Sequence, residues 1–165
     1  MIRRFRRRLT RWLMLAAFAA AGALYLIVNY SSHDPARWHR DPATIERSAR
    51  PNDFLAAPPG ATVAQIDLET TTRSEPPRDL LARFDSVTRA QPRVKVIAGS
   101  LDEGMITYVQ RSRVIGFPDY ITVKAVDAGE GAALIVYSRS RYGNSDLGVN
   151  EKRVTAWLAA LGDDP

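Results

Sequence analysis

Between an apolar strand and an apolar helix the chain places Ser138-Arg139-Ser140-Arg141-Tyr142-Gly143-Asn144-Ser145-Asp146-Leu147-Gly148-Val149-Asn150-Glu151-Lys152-Arg153. Ordinary connectors are short and solvated, and they rarely specify so many non-interchangeable groups. Guanidinium forks bind carboxylate or phosphate bidentately, so the chemistry this run offers is anion recognition. Alternation along a strand puts Arg139 and Arg141 on one face, and Arg111 and Arg113 on one face of an earlier strand. If those strands are neighbours with coincident faces, four guanidiniums converge near Asp119 and Asp146. With Asn150 and Arg153 at the start of the last helix, the candidate set is Arg111, Arg113, Asp119, Arg139, Arg141, Asp146, Asn150 and Arg153. The same residues also fit an internal Arg–Asp lattice that pins the loop to the sheet. A lattice needs the aspartates and an anion site does not. Both readings stand, beside that of a merely solvated face.

Catalysis has little support. The only histidines, His33 and His39, precede the folded domain, so a Ser-His-Asp arrangement is not available within it. Asp67 and Glu69 share a strand face and would serve as a carboxylate pair, though such a pair usually marks a solvated face. Asp102-Glu103-Gly104 reads as a turn, since no acids follow at calcium-loop spacing. The absence of cysteine excludes disulfides, thiolate catalysis and Cys-ligated zinc. No catalytic residue, metal ligand or cofactor is assigned. Gly143 and Gly148 flank Asn144 to Leu147 and suit positive φ, or else a nest of amides at a helix start.

The elements that must position these groups are legible from periodicity. Ala64, Ile66 and Leu68 alternate with Gln65, Asp67 and Glu69, as in a half-buried strand. Pro76-Pro77 opens a helix in which Leu80, Leu81, Phe84 and Val87 form one stripe. Val94–Ala98, Met105–Val114, Tyr120–Val126 and Ala133–Ser140 read as strands joined by turns. Asn150 reads as the N-cap of a helix with Val154, Trp157, Leu158 and Leu161 inward. The order β-α-β-β-β-β-α predicts an α+β fold: a small antiparallel sheet with two helices packed on one face.

The charge is unevenly spread. Of 23 lysines and arginines, six (Arg3, Arg4, Arg6, Arg7, Arg8 and Arg11) precede residue 12, and the remaining 17 face 18 acids. The pI of about 9.9 therefore belongs to the N-terminus, and a nucleic-acid partner is not expected. Trp12 to Val28 carries no charge, and 17 residues at 1.5 Å rise cover roughly 25 Å, a short membrane span. The arginines on its N-terminal side predict a cytoplasmic N-terminus. The organisation expected is a basic tail at 1–11, a transmembrane anchor at 12–30, a Pro-rich stalk at 31–60 and the α+β domain at 61–162. A cleaved signal peptide, giving a secreted protein, is the alternative. Trp38, in the stalk, reads as a docking residue.

Tyr108-Val109-Gln110-Arg111-Ser112-Arg113, Gly116-Phe117-Pro118-Asp119-Tyr120 and the run from Ser138 to Arg153 together resemble the signature of the bacterial domain-of-unknown-function 1499 family. The similarity spans about Pro51 to Leu161. Many relatives carry a cysteine pair near the domain start, where this chain has Arg50-Pro51-Asn52-Asp53-Phe54. The resemblance implies a small domain, often membrane-anchored or exported, with no assigned activity. The expectation is a single-pass inner-membrane protein with a periplasmic, non-catalytic domain that binds an envelope partner protein or small anionic ligand. An envelope enzyme using carboxylate chemistry and a structural assembly factor are the alternatives.

Overall fold

The fold was obtained as a computed structural model, which describes residues 2–162. The described residues divide into two compact units, 2–32 with 113–116, and 33–112 with 117–162. In the first, α1 (Ile2–Tyr30) is a single helix. Its stretch Arg6–Tyr30 reaches a mean hydropathy of 1.8 over 18 residues and is long and apolar enough to cross a membrane.

The second unit is α+β. A short helix α2 (Pro35–Trp38) is followed by β1 (Asp53–Ala57), β2 (Leu68–Glu69), α3 (Pro77–Arg89), β3 (Val94–Ser100), β4 (Met105–Arg111), β5 (Pro118–Asp127), β6 (Ala132–Ser140) and α4 (Val149–Ala159). The strands form one six-stranded sheet in the order β2-β1-β6-β5-β4-β3. Each strand from β3 to β6 is antiparallel to the next in sequence, as tight connections require. β1 closes antiparallel on β6 but runs parallel to β2, so the sheet is mixed rather than antiparallel.

Local chemistry explains the helices. Pro77 opens α3 with its φ already helical, Asp79 sits in the first turn and Arg89 in the last, matching the helix dipole. Leu80, Leu81 and Phe84 from α3 and Val154 and Trp157 from α4 join Ile106, Tyr108, Ile121, Val123, Leu134 and Val136 in one buried cluster. Phe84 meets Trp157 edge to face at 6.2 Å between centroids.

Alternation sends the intervening residues to the opposite face, and these are apolar as well. Leu55, Ala57, Ile135 and Tyr137 are buried with Ile45, while Val109 and Tyr120 are buried with Trp38. The cover on that face is the stretch expected to be a stalk. Its boundary is corrected accordingly. Residues 53–57 are a strand, and residues 33–52 lie over the sheet through Trp38, Ile45 and the Lys124–Asp41 ion pair at 2.6 Å. The cause is energetic: a sheet apolar on both faces exposes a large surface to water unless both are covered. Conversely, the strand expected across Ala64–Glu69 shrinks to Leu68–Glu69. Asp67 ends it by turning its carboxylate onto the Leu55 amide at 2.8 Å.

Candidate functional site

The alternation that covers both faces also divides the arginine motif. Asp119 pairs across the ladder with Ser140 on one face, and Tyr120 with Arg139 on the other. β5 lies between β4 and β6, so the two arginine-bearing strands are not neighbours. The candidate residues therefore fall into two groups.

On the helix face, Arg153 is the hub. Its Nη2 donates to Asp119 Oδ2 at 2.6 Å, Nε donates to Gln110 Oε1 at 2.6 Å, and Nη1 donates to Ser138 Oγ at 3.0 Å and to Asn150 Oδ1. Ser140 Oγ donates to the other Asp119 oxygen at 2.7 Å. The Asn150 amide donates to the Asn52 carbonyl at 3.0 Å, and Asn52 in turn donates to the Gly143 carbonyl at 2.9 Å. The Arg153 and Asp119 side chains are only 7% and 11% exposed. Charges so deep are tolerated because each guanidinium nitrogen of Arg153 and both carboxylate oxygens of Asp119 have a partner. Asn150 is not the N-cap that its position suggests. Gly148, at φ 76, takes that place, and Asp146 accepts from the Gly148 and Asn150 amides at 3.1 and 2.8 Å. The slot that a helix N-terminus offers an anion is thus filled by the chain's own carboxylate.

On the opposite face lie Arg139, Arg141 and Arg111. Arg139 Nη2 donates to the Trp38 carbonyl at 2.8 Å, and its guanidinium stands 5.2 Å from the Trp38 ring centre and 5.0 Å from that of Tyr137. Burial pushes its pKa below the ordinary guanidinium value. The neighbouring Asp53 gives it no ion pair, being held by Arg47 at 2.7 Å and by the Tyr137 hydroxyl at 2.6 Å. Trp38 stacks on Tyr120 with centroids 3.7 Å apart. The Tyr120 hydroxyl accepts from Arg141 Nη1 at 3.2 Å and bonds His33 Nδ1 at 2.8 Å.

Arg111 Nη2 lies 3.0 Å from His33 Nε2. A guanidinium can only donate, so that nitrogen accepts and Nδ1 carries the proton of a neutral ring. Burial, then the Arg111, Arg141 and Lys95 charges, hold the His33 pKa below the ordinary imidazole value. Arg113 stands exposed in the β4–β5 turn.

Two adjoining hollows open on this face. One, of about 430 Å³, is lined by Arg37, Arg50, Arg139 and Arg141 together with Trp38 and Tyr137. The other, of about 440 Å³, is lined by Arg37, Arg40 and Arg139. Arg139 and Arg37 belong to both, and Glu46 is the acid common to them. Among the described residues, Arg37, Arg40, Arg50 and Arg139 have no carboxylate within ion-pair distance, whereas Arg47, Arg78, Arg83, Arg89 and Arg153 each have one.

Sequence reasoning missed Arg37, Arg40 and Arg50 because it placed them in a spacer. The available signal was Arg37-Trp38-His39-Arg40, an aromatic between bases in a Pro-bounded segment. The pair Asp67 and Glu69 does not form a carboxylate dyad. Asp67 binds Arg47 at 2.8 Å, while Glu69 is exposed.

These features define an α+β domain with a mixed sheet, a saturated polar lattice under its helices and a cation-lined hollow on the reverse. The chain belongs to the family described as "Protein of unknown function (DUF1499)", whose match runs over residues 44–161. The match begins inside the segment that covers the reverse face, seven residues before the resemblance in sequence begins. No curated protein and no solved structure matches the chain.

Proposed function

We propose that this is a membrane-tethered, non-catalytic binding module that holds an anionic ligand in the hollow around Arg139. One observation carries the reading. Four arginines without carboxylate partners gather on one face of a domain in which Arg47, Arg78, Arg83, Arg89 and Arg153 are each paired with a carboxylate. Arg139 is largely withdrawn from water while Arg37, Arg40 and Arg50 stand exposed around it, and a bound carboxylate or phosphate offsets the cost of the buried charge with bidentate bonds. Trp38 and Tyr137 add flat apolar walls suited to the uncharged part of a ligand.

Of the residues expected to bind, Arg139 and Arg141 line this hollow. Arg111 acts behind Tyr120 through His33, while Asp119, Asp146, Asn150 and Arg153 shape the fold. The anchor at 12–30, with six arginines before it, supports a cytoplasmic N-terminus and a periplasmic domain in a bacterial inner membrane. Tethering raises the ligand-side concentration near other envelope components, so weak contacts suffice. An acidic segment of an envelope protein would use the same guanidiniums.

The test is thermal unfolding of the full chain in zwitterionic nanodiscs, titrated with pyrophosphate or citrate. A ligand at 100 times its dissociation constant adds about 2.7 kcal/mol of stability. A rise in midpoint that Arg139→Gln abolishes supports the hollow as the site. An equal rise in both proteins sinks it.

A further inference from the structure

The β4–β5 turn carries Arg113-Val114-Ile115-Gly116, and Val114 is 88% exposed. A single exposed valine is ordinary. Its anchorage is not. The Asn29 side-chain amide donates to the Ile115 carbonyl at 3.1 Å and to the Tyr25 carbonyl within α1 at 2.9 Å. Gly116 has φ +84, and a Cβ there would collide with the Asn29 amide, so the turn sits directly on that residue. Asn29 is the first polar residue after the apolar run Trp12–Val28, and Tyr30 follows it. In a spanning helix this is the depth where hydrocarbon gives way to headgroups, the level at which Tyr residues concentrate. A turn bonded there, with two aliphatic side chains exposed at its tip, has lipid as its neighbour. Arg113, exposed beside them, can lay its stem along the acyl boundary and its head among phosphates.

We propose that Val114 and Ile115 form a second membrane contact, a tip inserted at the interface beside the end of α1. The inference rests on reading α1 as a membrane span, and the experiment separates the two.

The chain has no cysteine, so single cysteines can be labelled cleanly. An environment-sensitive fluorophore is attached at Val114→Cys, at Ala20→Cys in mid-span, and at Glu130→Cys. Glu130 lies in the β5–β6 turn, beyond the far end of a ten-residue strand that spans roughly 33 Å. The full chain is placed in phosphatidylethanolamine–phosphatidylglycerol vesicles with nitroxide lipids labelled near the headgroup or near the chain end. The expected result at Val114 is blue-shifted emission, quenched several-fold more by the shallow nitroxide than emission at Glu130. Ala20 should respond most to the deep nitroxide. Quenching at Ala20 with none at Val114 above that at Glu130 overturns the tip contact alone. No quenching at either position overturns the span, and the tip contact with it.

Discussion

Arg153 and Arg139 carry the same side chain in opposite circumstances. Arg153 is bonded to Asp119, Gln110, Ser138 and Asn150, whereas Arg139 has a carbonyl and two rings. Removing one partner of a buried pair costs roughly 3–5 kcal/mol, because the other is left charged and dry. Arg153→Ala should therefore lower the melting midpoint by on the order of 10 °C or more in a domain of this size. Arg139→Gln keeps a donor for the Trp38 carbonyl and removes a cation from a crowded set, so its midpoint should move by a few degrees at most. Differential scanning calorimetry of both variants decides this; equal losses would mean that the two arginines play one structural role. His33 makes a separate expectation. Its folded pKa is lowered, so the unfolded chain takes up the proton first as pH falls. The contribution is complete above the ordinary imidazole value of about 6.5 and is lost below it. Urea unfolding at pH 7.5 and 5.5 should show lower stability at the acid pH, with a smaller drop in His33→Gln.

Among the elements, the antiparallel strands and both long helices were legible because their apolar periods are long and their turns carry Gly, Pro and Asp. The reverse cover was not, although a sign of it was present. Ala132-Ala133-Leu134-Ile135-Val136-Tyr137 is apolar without alternation, which marks a strand buried on both faces. The covering segment itself shows no period, since it packs through single residues, Trp38 and Ile45, spaced by prolines. The site suffered from the same gap. Arginine spacing placed Arg139 and Arg141 on one face, but the register that turns Asp119 to the other face with Ser140, and the position of β5 between the two arginine-bearing strands, depend on how the sheet pairs. Trp38→Ala tests the cover as an element. Trp38 is 7% exposed, and large-to-small changes at such sites cost about 3–5 kcal/mol. Hydrogen exchange should speed up in β4 and β5, while α3 and α4 keep their relative protection; uniform loss would argue against a distinct cover.

For the whole molecule, the fold starts earlier than its sequence signature. A soluble fragment beginning at His33 retains the cover, and one beginning at Arg50 leaves Val109, Tyr120, Ile135 and part of Tyr137 to water. The first should give a cooperative unfolding transition. The second should melt at a clearly lower temperature or bind hydrophobic dyes, and identical melting would show the cover to be dispensable. Neither fragment has the N-terminal arginines. Residues 31–165 hold 17 basic and 18 acidic side chains, so the fragment should focus near neutral pH, far below the full chain's pI of about 9.9.

From Ser138 to Arg141 the two jobs alternate residue by residue, serines toward the lattice and arginines toward the hollow. Neighbouring positions therefore meet different structural demands. If the proposed hollow is the binding site, substitutions at Arg139 and Arg141 can change what it holds while Ser138 and Ser140 keep the fold intact, so specificity can drift without passing through an unfolded intermediate.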